Sequence, residues 1–175
     1  MPKNTYPDTL SLSRKVLRVL KELNLLMGFL ISALLIASLV AAEPVMAALG
    51  VRRTGDTSTL FLGMRLIMVI GIVAVPITQR VLGRLLSIVE SVLVGTPFVS
   101  ANAVRLQQIA WGILGLELLH LAVGIVAASV ASDANPLALR WTFSLTRWLA
   151  VLLLFVLARV FEQGARMRED LDGTV

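Results

Sequence analysis

The chain has 175 residues, 57% of them hydrophobic and 15% charged, with a mean hydropathy of +0.86. Soluble domains average roughly 45–50% apolar and about 25% charged residues, so a disordered chain is excluded and an ordinary soluble one is disfavoured. There is no cysteine and one histidine, which leaves no disulfide framework, zinc ribbon, iron–sulfur site or cysteine nucleophile. A net charge of +5 and a pI near 10.7 would suit nucleic acid in a soluble protein. Here the basic residues flank long apolar runs, which points to a lipid bilayer and to no direct contact with nucleic acid.

A helix needs about 20 apolar residues to cross a bilayer core. Four runs qualify, at residues 25–42, 59–78, 109–130 and 141–161. Lipid offers backbone groups no partner, so each run reads as a helix. The runs are continuous rather than alternating, which argues against a β-barrel. The leader before the first run is long, and the run exceeds the usual ~7–15 residues of a signal-peptide core, so it reads as a retained span. The sequence therefore predicts one all-α membrane domain over residues 1–175. Its architecture is an integral membrane four-helix bundle with helices extending into the cytoplasm.

Lysine and arginine set the orientation. The N-terminal leader (Lys3, Arg14, Lys15, Arg18, Lys21), the middle loop (Arg80, Arg84, Arg105) and the tail (Arg159, Arg166, Arg168) together hold eleven. The other side holds five: Arg52, Arg53, Arg65, Arg140 and Arg147. The positive-inside bias predicts a multi-pass protein of the cytoplasmic (inner) membrane with both termini in the cytoplasm. Trp111, Trp141 and Trp148 lie near span ends, where indole rings favour the interface.

After the second span, QRVLGRLLSIVESVLV (79–94) continues at helical spacing. Arg80, Arg84, Ser87 and Ser91 form a polar stripe opposite Val81, Leu85, Ile88, Val89 and Val92. Pro76 is the sole breaker before it, and a membrane helix absorbs a proline as a kink. Gly95-Thr96-Pro97-Phe98 then supplies a stop and a turn, and Ser100 is placed to N-cap the next helix. A helix over 59–93 would measure roughly 50 Å against a hydrocarbon core of about 30 Å. The reading is a cytoplasmic stalk, a helical hairpin over 79–108; the alternative is an interfacial helix lying flat on the membrane. Small residues recur every four positions at Ala33, Ala37 and Ala41 and at Gly124 and Ala128, a spacing that lets membrane helices approach closely.

Ionisable residues inside spans are costly and need a partner or a purpose. Glu117 and His120 are three apart, on one face of the third span. Arg65 and Arg147 fall nearer the outer surface of their spans, about 10 Å or more from Glu117 along the bundle axis. One reading is a proton- or ligand-responsive site built from all four. The other is a set of interhelical bonds with the arginines snorkelling to the headgroups. Nucleotide-binding, serine-hydrolase and metalloprotease motifs are all missing from the sequence, and no catalytic residue, metal or cofactor is assigned. The tail, 162–175, mixes Arg166 and Arg168 with Glu169, Asp170 and Asp172 around Gly164. It sits beside the basic middle loop, so its carboxylates are expected to pair with Arg80, Arg84 or Arg105.

Two segments together resemble a known family. One is Gly95-Thr96-Pro97-Phe98-Val99-Ser100-Ala101-Asn102-Ala103-Val104-Arg105-Leu106, followed by Ile109 and Trp111. The other is the tail from Val160 to Val175. The pattern of a Gly-x-Pro-Phe loop, an Asn and Arg-Leu opening the third span, and a tail rich in Gly, Arg and acid is similar to the bacterial membrane family called domain of unknown function 2975. The resemblance covers nearly the whole chain from Leu23 on. It implies a small four-span membrane protein without established activity, often encoded beside a small helix-turn-helix regulator. The family pattern has an acidic residue before the tail glycine, where this chain has Gln163.

Two functions follow as expectations. The first is a non-enzymatic regulatory protein, with the hairpin motif (Gly95, Pro97, Phe98, Asn102, Arg105) and the tail (Gly164, Arg166, Arg168, Asp170) docking a cytoplasmic partner such as that regulator. The second is a small transporter, channel subunit or pH sensor, working as a homo-oligomer through Arg65, Glu117, His120 and Arg147; a histidine changes charge near neutral pH.

Overall fold

The computed structural model describes residues 6–41, 57–130 and 145–172. Over those residues the protein is helical apart from the turn at 94–99 and residue 41. Helix α1 runs Tyr6–Val40, α2 Thr57–Leu93, α3 Ser100–Val130 and α4 Leu145–Asp172. At 1.5 Å per residue the 35 residues of α1 and the 37 of α2 extend about 50–55 Å each. The second span and residues 79–93 are thus a single helix, with Pro76 inside it. Helix α1 is also longer than its apolar run, because the basic leader continues it upstream.

Three helices are long and apolar enough to cross a membrane: α1 over Thr9–Val40, α2 over Thr59–Leu93 and α3 over Ser100–Val130. The described part of the fourth run is interrupted by Arg147 and Arg159, which leave an uncharged stretch over 148–158. Residues 141–144 of that run, with Trp141, lie outside the described residues, as do Arg52, Arg53 and Arg140.

Packing follows chain order: α1 on α2, α2 on α3, and α3 on α4. Among the described residues no contact between α1 and α4 closes the bundle. Glycines bring the helices together. The Gly28 α-carbon faces the Val75 side chain so closely that a β-carbon would lie 2.9 Å from it, and Gly63 meets Val130 in the same way. Gly112 lies hard against Val81. On α1 the close approach is at Gly28, whereas Ala33 is exposed; on α3, Gly124 is buried. Beside Pro76, Asn24 Nδ2 donates to the Val75 carbonyl (3.0 Å) and to Gln79 Oε1 (3.2 Å), linking α1 to the backbone of α2. Farther along, Arg14 and Arg18 of α1 approach Glu90 of α2 at 3.5 and 4.0 Å.

Most of the buried side chains lie toward the hairpin end, while Ser38 and Leu60 are buried at the other end, where α1 meets α2. Asn102, Ala103, Leu106, Ile109 and Ala110 are buried on α3, with Val81 facing from α2 and Val151, Ala158 and Ala165 from α4. Large exposed apolar residues cover the rest of α1, α2 and α4, the surface expected where lipid replaces a protein core.

Candidate functional site

The α2–α3 hairpin ends in a tip whose geometry begins at Gly95. Its φ of 83° is left-handed, a conformation glycine adopts without steric cost. Gly95 N–H donates to the Val92 carbonyl (3.0 Å) and Thr96 N–H to the Ser91 carbonyl (2.9 Å). This pair of bonds closes the end of α2 as a Schellman motif. Pro97 follows and cannot continue the helix.

Asn102, in the first turn of α3, is 0% exposed. Its Nδ2 donates to Ser91 Oγ (2.7 Å) and to the Pro97 carbonyl (2.8 Å), while its Oδ1 accepts from Arg105 Nη1 (2.8 Å). Its backbone N–H donates to the Val99 carbonyl (2.9 Å). Ser91 Oγ donates onward to the Ile88 carbonyl (2.7 Å), and Arg105 Nη1 also reaches the Ser87 carbonyl (3.4 Å). One buried amide therefore joins the last turn of α2, the turn and the first turn of α3. Arg105 completes this network; the side chains of Glu169, Asp170 and Asp172, its expected partners, lie outside the described residues, as does that of Arg168.

Phe98 carries the tip onto α4. Its ring stacks on Phe161 with centroids 5.4 Å apart, and its edge passes over Gly164, where a β-carbon would be 3.8 Å away. The next turn of α4 holds an ion-pair ladder. Glu162 accepts from Arg159 Nη1 (2.9 Å) and from Arg166 Nη2 (2.7 Å). The Arg159 bond is the largest cause holding the Glu162 carboxyl below its ordinary value; partial burial opposes it, and Arg166 adds to it. The i, i+3 and i, i+4 spacings that create this ladder are readable in the sequence. The pairings of Glu162 and of Glu90 do not stand out in the sequence, where their arginine partners read as part of the charge bias beside the spans.

Beside the tip, α3 and α4 enclose a groove of about 690 Å³. Ala103, Val104, Trp111, Phe155 and Ala158 form its apolar part, and Arg159, Glu162 and Arg166 its charged end. Trp111 meets Phe155 edge to face at 5.3 Å.

The polar residues expected inside the spans separate. Arg147 Nη1 lies 3.9 Å from Glu117 Oε2, with Glu117 17% exposed. The expected separation of about 10 Å along the bundle axis is not found: the antiparallel register that sets Trp111 beside Phe155 also sets position 147 level with position 117. Arg65 turns elsewhere: its Nη2 donates to the Ser38 carbonyl at 2.5 Å. Ser38 is in the last turn of α1, so the guanidinium satisfies an open carbonyl at the negative end of that helix. His120 is exposed. The four expected members do not form one polar core, and none lines the groove.

No group of three or more histidine, aspartate or glutamate side chains suited to a metal occurs among the described residues. No curated protein and no solved structure matches the chain. A family model does match, over residues 25–175, including the hairpin motif and the tail. The chain belongs to the family described as Protein of unknown function (DUF2975).

Proposed function

We propose that the protein is a non-enzymatic regulatory protein of the bacterial cytoplasmic membrane, whose hairpin tip and tail dock a soluble cytoplasmic partner. A small helix-turn-helix regulator is the partner class that the family resemblance implies. In this reading α4 also crosses the membrane, with Arg147 and Arg159 snorkelling toward opposite headgroup layers, and both termini are cytoplasmic.

The observation that supports the reading is the tip itself. The overlong helices hold it away from the apolar midsection, and Asn102 braces it from inside. It nevertheless presents apolar side chains outward: Val94 is 80% exposed and Phe98 is half-exposed. Exposed apolar groups on a rigid, water-facing frame are a feature of protein docking sites. The transporter or sensor reading lacks a comparable observation, since Glu117 has an arginine partner and His120 does not face the groove.

A photo-crosslinking side chain at position 94 in the intact membrane protein tests the proposal. It is expected to capture a cytoplasmic protein in cells, and Phe98→Asp should abolish the capture while membrane level and helicity are retained. Capture that persists in Phe98→Asp, or its absence from the wild-type tip, would overturn the docking assignment.

A further inference from the structure

We propose that the α3–α4 groove is a binding site for an anionic phospholipid of the cytoplasmic leaflet. The phosphate would sit between Arg159 and Arg166, and the first carbons of the acyl chains would lie along Val104, Trp111 and Phe155. The groove changes character along its length in the way an amphiphile requires. On α4 the order from the tail inward is Arg166, Glu162, Arg159, Ala158, Phe155; on α3, from the tip inward, it is Ser100, Ala103, Val104, Gln107, Trp111. The charged end therefore lies beside the hairpin, and the aromatic end lies toward the middle of the helices. At that end Trp111, 60% exposed, is continuous with the apolar outer surface of α4 at Leu152 and Val156.

The charge at the polar end is complementary to a phosphate. Two guanidiniums share one carboxylate, which leaves one net positive charge. Each gives Glu162 a bond from a single nitrogen. A guanidinium has five N–H donors in a planar fork suited to phosphate, so both side chains keep donors beyond those that Glu162 takes. Glu162 ties the two forks together and offsets only one of their two charges. At 79% and 71% exposure, Arg159 and Arg166 can be reached from the headgroup layer. A phospholipid satisfies both ends of the groove, whereas a free phosphate satisfies the charged end alone.

The leaflet rests on the orientation proposed above, but the site does not. Lipid binding by protein in detergent is read without reference to sidedness, so it stands or falls separately from partner capture at the tip.

The test is native mass spectrometry of the full-length protein in detergent with equimolar phosphatidylglycerol and phosphatidylcholine. Wild type is expected to retain phosphatidylglycerol preferentially. Arg159→Gln with Arg166→Gln should lower the bound ratio of the two lipids by about tenfold or more, given the attraction of each basic side chain for anionic lipid. Gln107→Glu, a change at an exposed position that leaves the ladder intact, should lower the ratio as well, and Glu162→Gln should raise it. An unchanged ratio in Gln107→Glu and in whichever arginine variant folds would overturn the proposal. So would displacement of phosphatidylglycerol by excess inorganic phosphate, which would assign the charged end to the free anion.

Discussion

Asn102 Nδ2 donates to Ser91 Oγ across the hairpin at 2.7 Å, and this bond joins two helices through an amide that is itself fully buried. The same amide serves the Pro97 carbonyl and Arg105. Removing it leaves buried polar groups without partners, which costs about 1–3 kcal/mol per group, more than the ~1 kcal/mol net value of a bond. Asn102→Ala is therefore expected to destabilise the protein by about 2–4 kcal/mol. Asn102→Asp should be no better than alanine, because a carboxylate would face the Pro97 carbonyl. Denaturant unfolding in micelles, with Ser91→Ala as the milder companion, measures both.

Gly112 and Val81 set the distance between α2 and α3. A β-carbon at position 112 would overlap a Val81 methyl, and valine in a helix cannot rotate away at χ1. Overpacking of this kind costs about 1–3 kcal/mol, against which alanine recovers roughly 1 kcal/mol of helix propensity over glycine. Gly112→Ala should be destabilising by up to about 2 kcal/mol net. Val81→Ala placed on top of it should restore part of the loss, giving a favourable coupling in a double-mutant cycle.

The Glu162 carboxyl is held below the ordinary glutamate value, chiefly by its bond from Arg159. A lowered carboxylate contributes stability above the ordinary value and loses it as pH falls through the lowered one. The ladder should therefore persist at neutral pH and open only below the usual glutamate range. Carbon-detected NMR titration in detergent should place the Glu162 midpoint below that of glutamate in an unstructured peptide. Arg159→Gln should move it up more than Arg166→Gln does. The group is exposed, so added salt should narrow the difference.

Glu117 and Arg147 are 3.9 Å apart between α3 and α4. Polar links between membrane helices average about 0.6 kcal/mol and reach about 1.7. A double-mutant cycle with Glu117→Gln and Arg147→Gln is expected to give a coupling of about 1 kcal/mol in this range. In liposomes, proton flux should be the same for Glu117→Gln and wild type. A change in flux at preserved folding would favour the transporter reading.

Much of the architecture was legible from patterns that act locally. The helical content, three of the four expected spans as long apolar helices, the continuity of α2 through Pro76 and the stop at Gly95 follow from hydropathy, periodicity and backbone geometry. The family resemblance was carried by the hairpin motif and tail, which the match over 25–175 includes. Ser91 was legible as a polar stripe member, but not as the partner of Asn102. That pairing depends on how the turn aligns two helices so that residues eleven positions apart meet.

The sequence by itself determined where helices form and stop, because helix periodicity and glycine's access to positive φ are properties of short segments. It also determined the uneven spread of positive charge along the chain, since that is a matter of counting. Only the tertiary structure decided which charges meet. Arg14 and Arg18 find Glu90, Arg65 caps the end of α1, Arg147 reaches Glu117, and Arg105 turns inward to Asn102. Long flexible side chains can reach several neighbours, and the choice among them is made by helix rotation and spacing. Those are set by close approaches such as Gly28 to Val75 and Gly112 to Val81, which no single segment specifies.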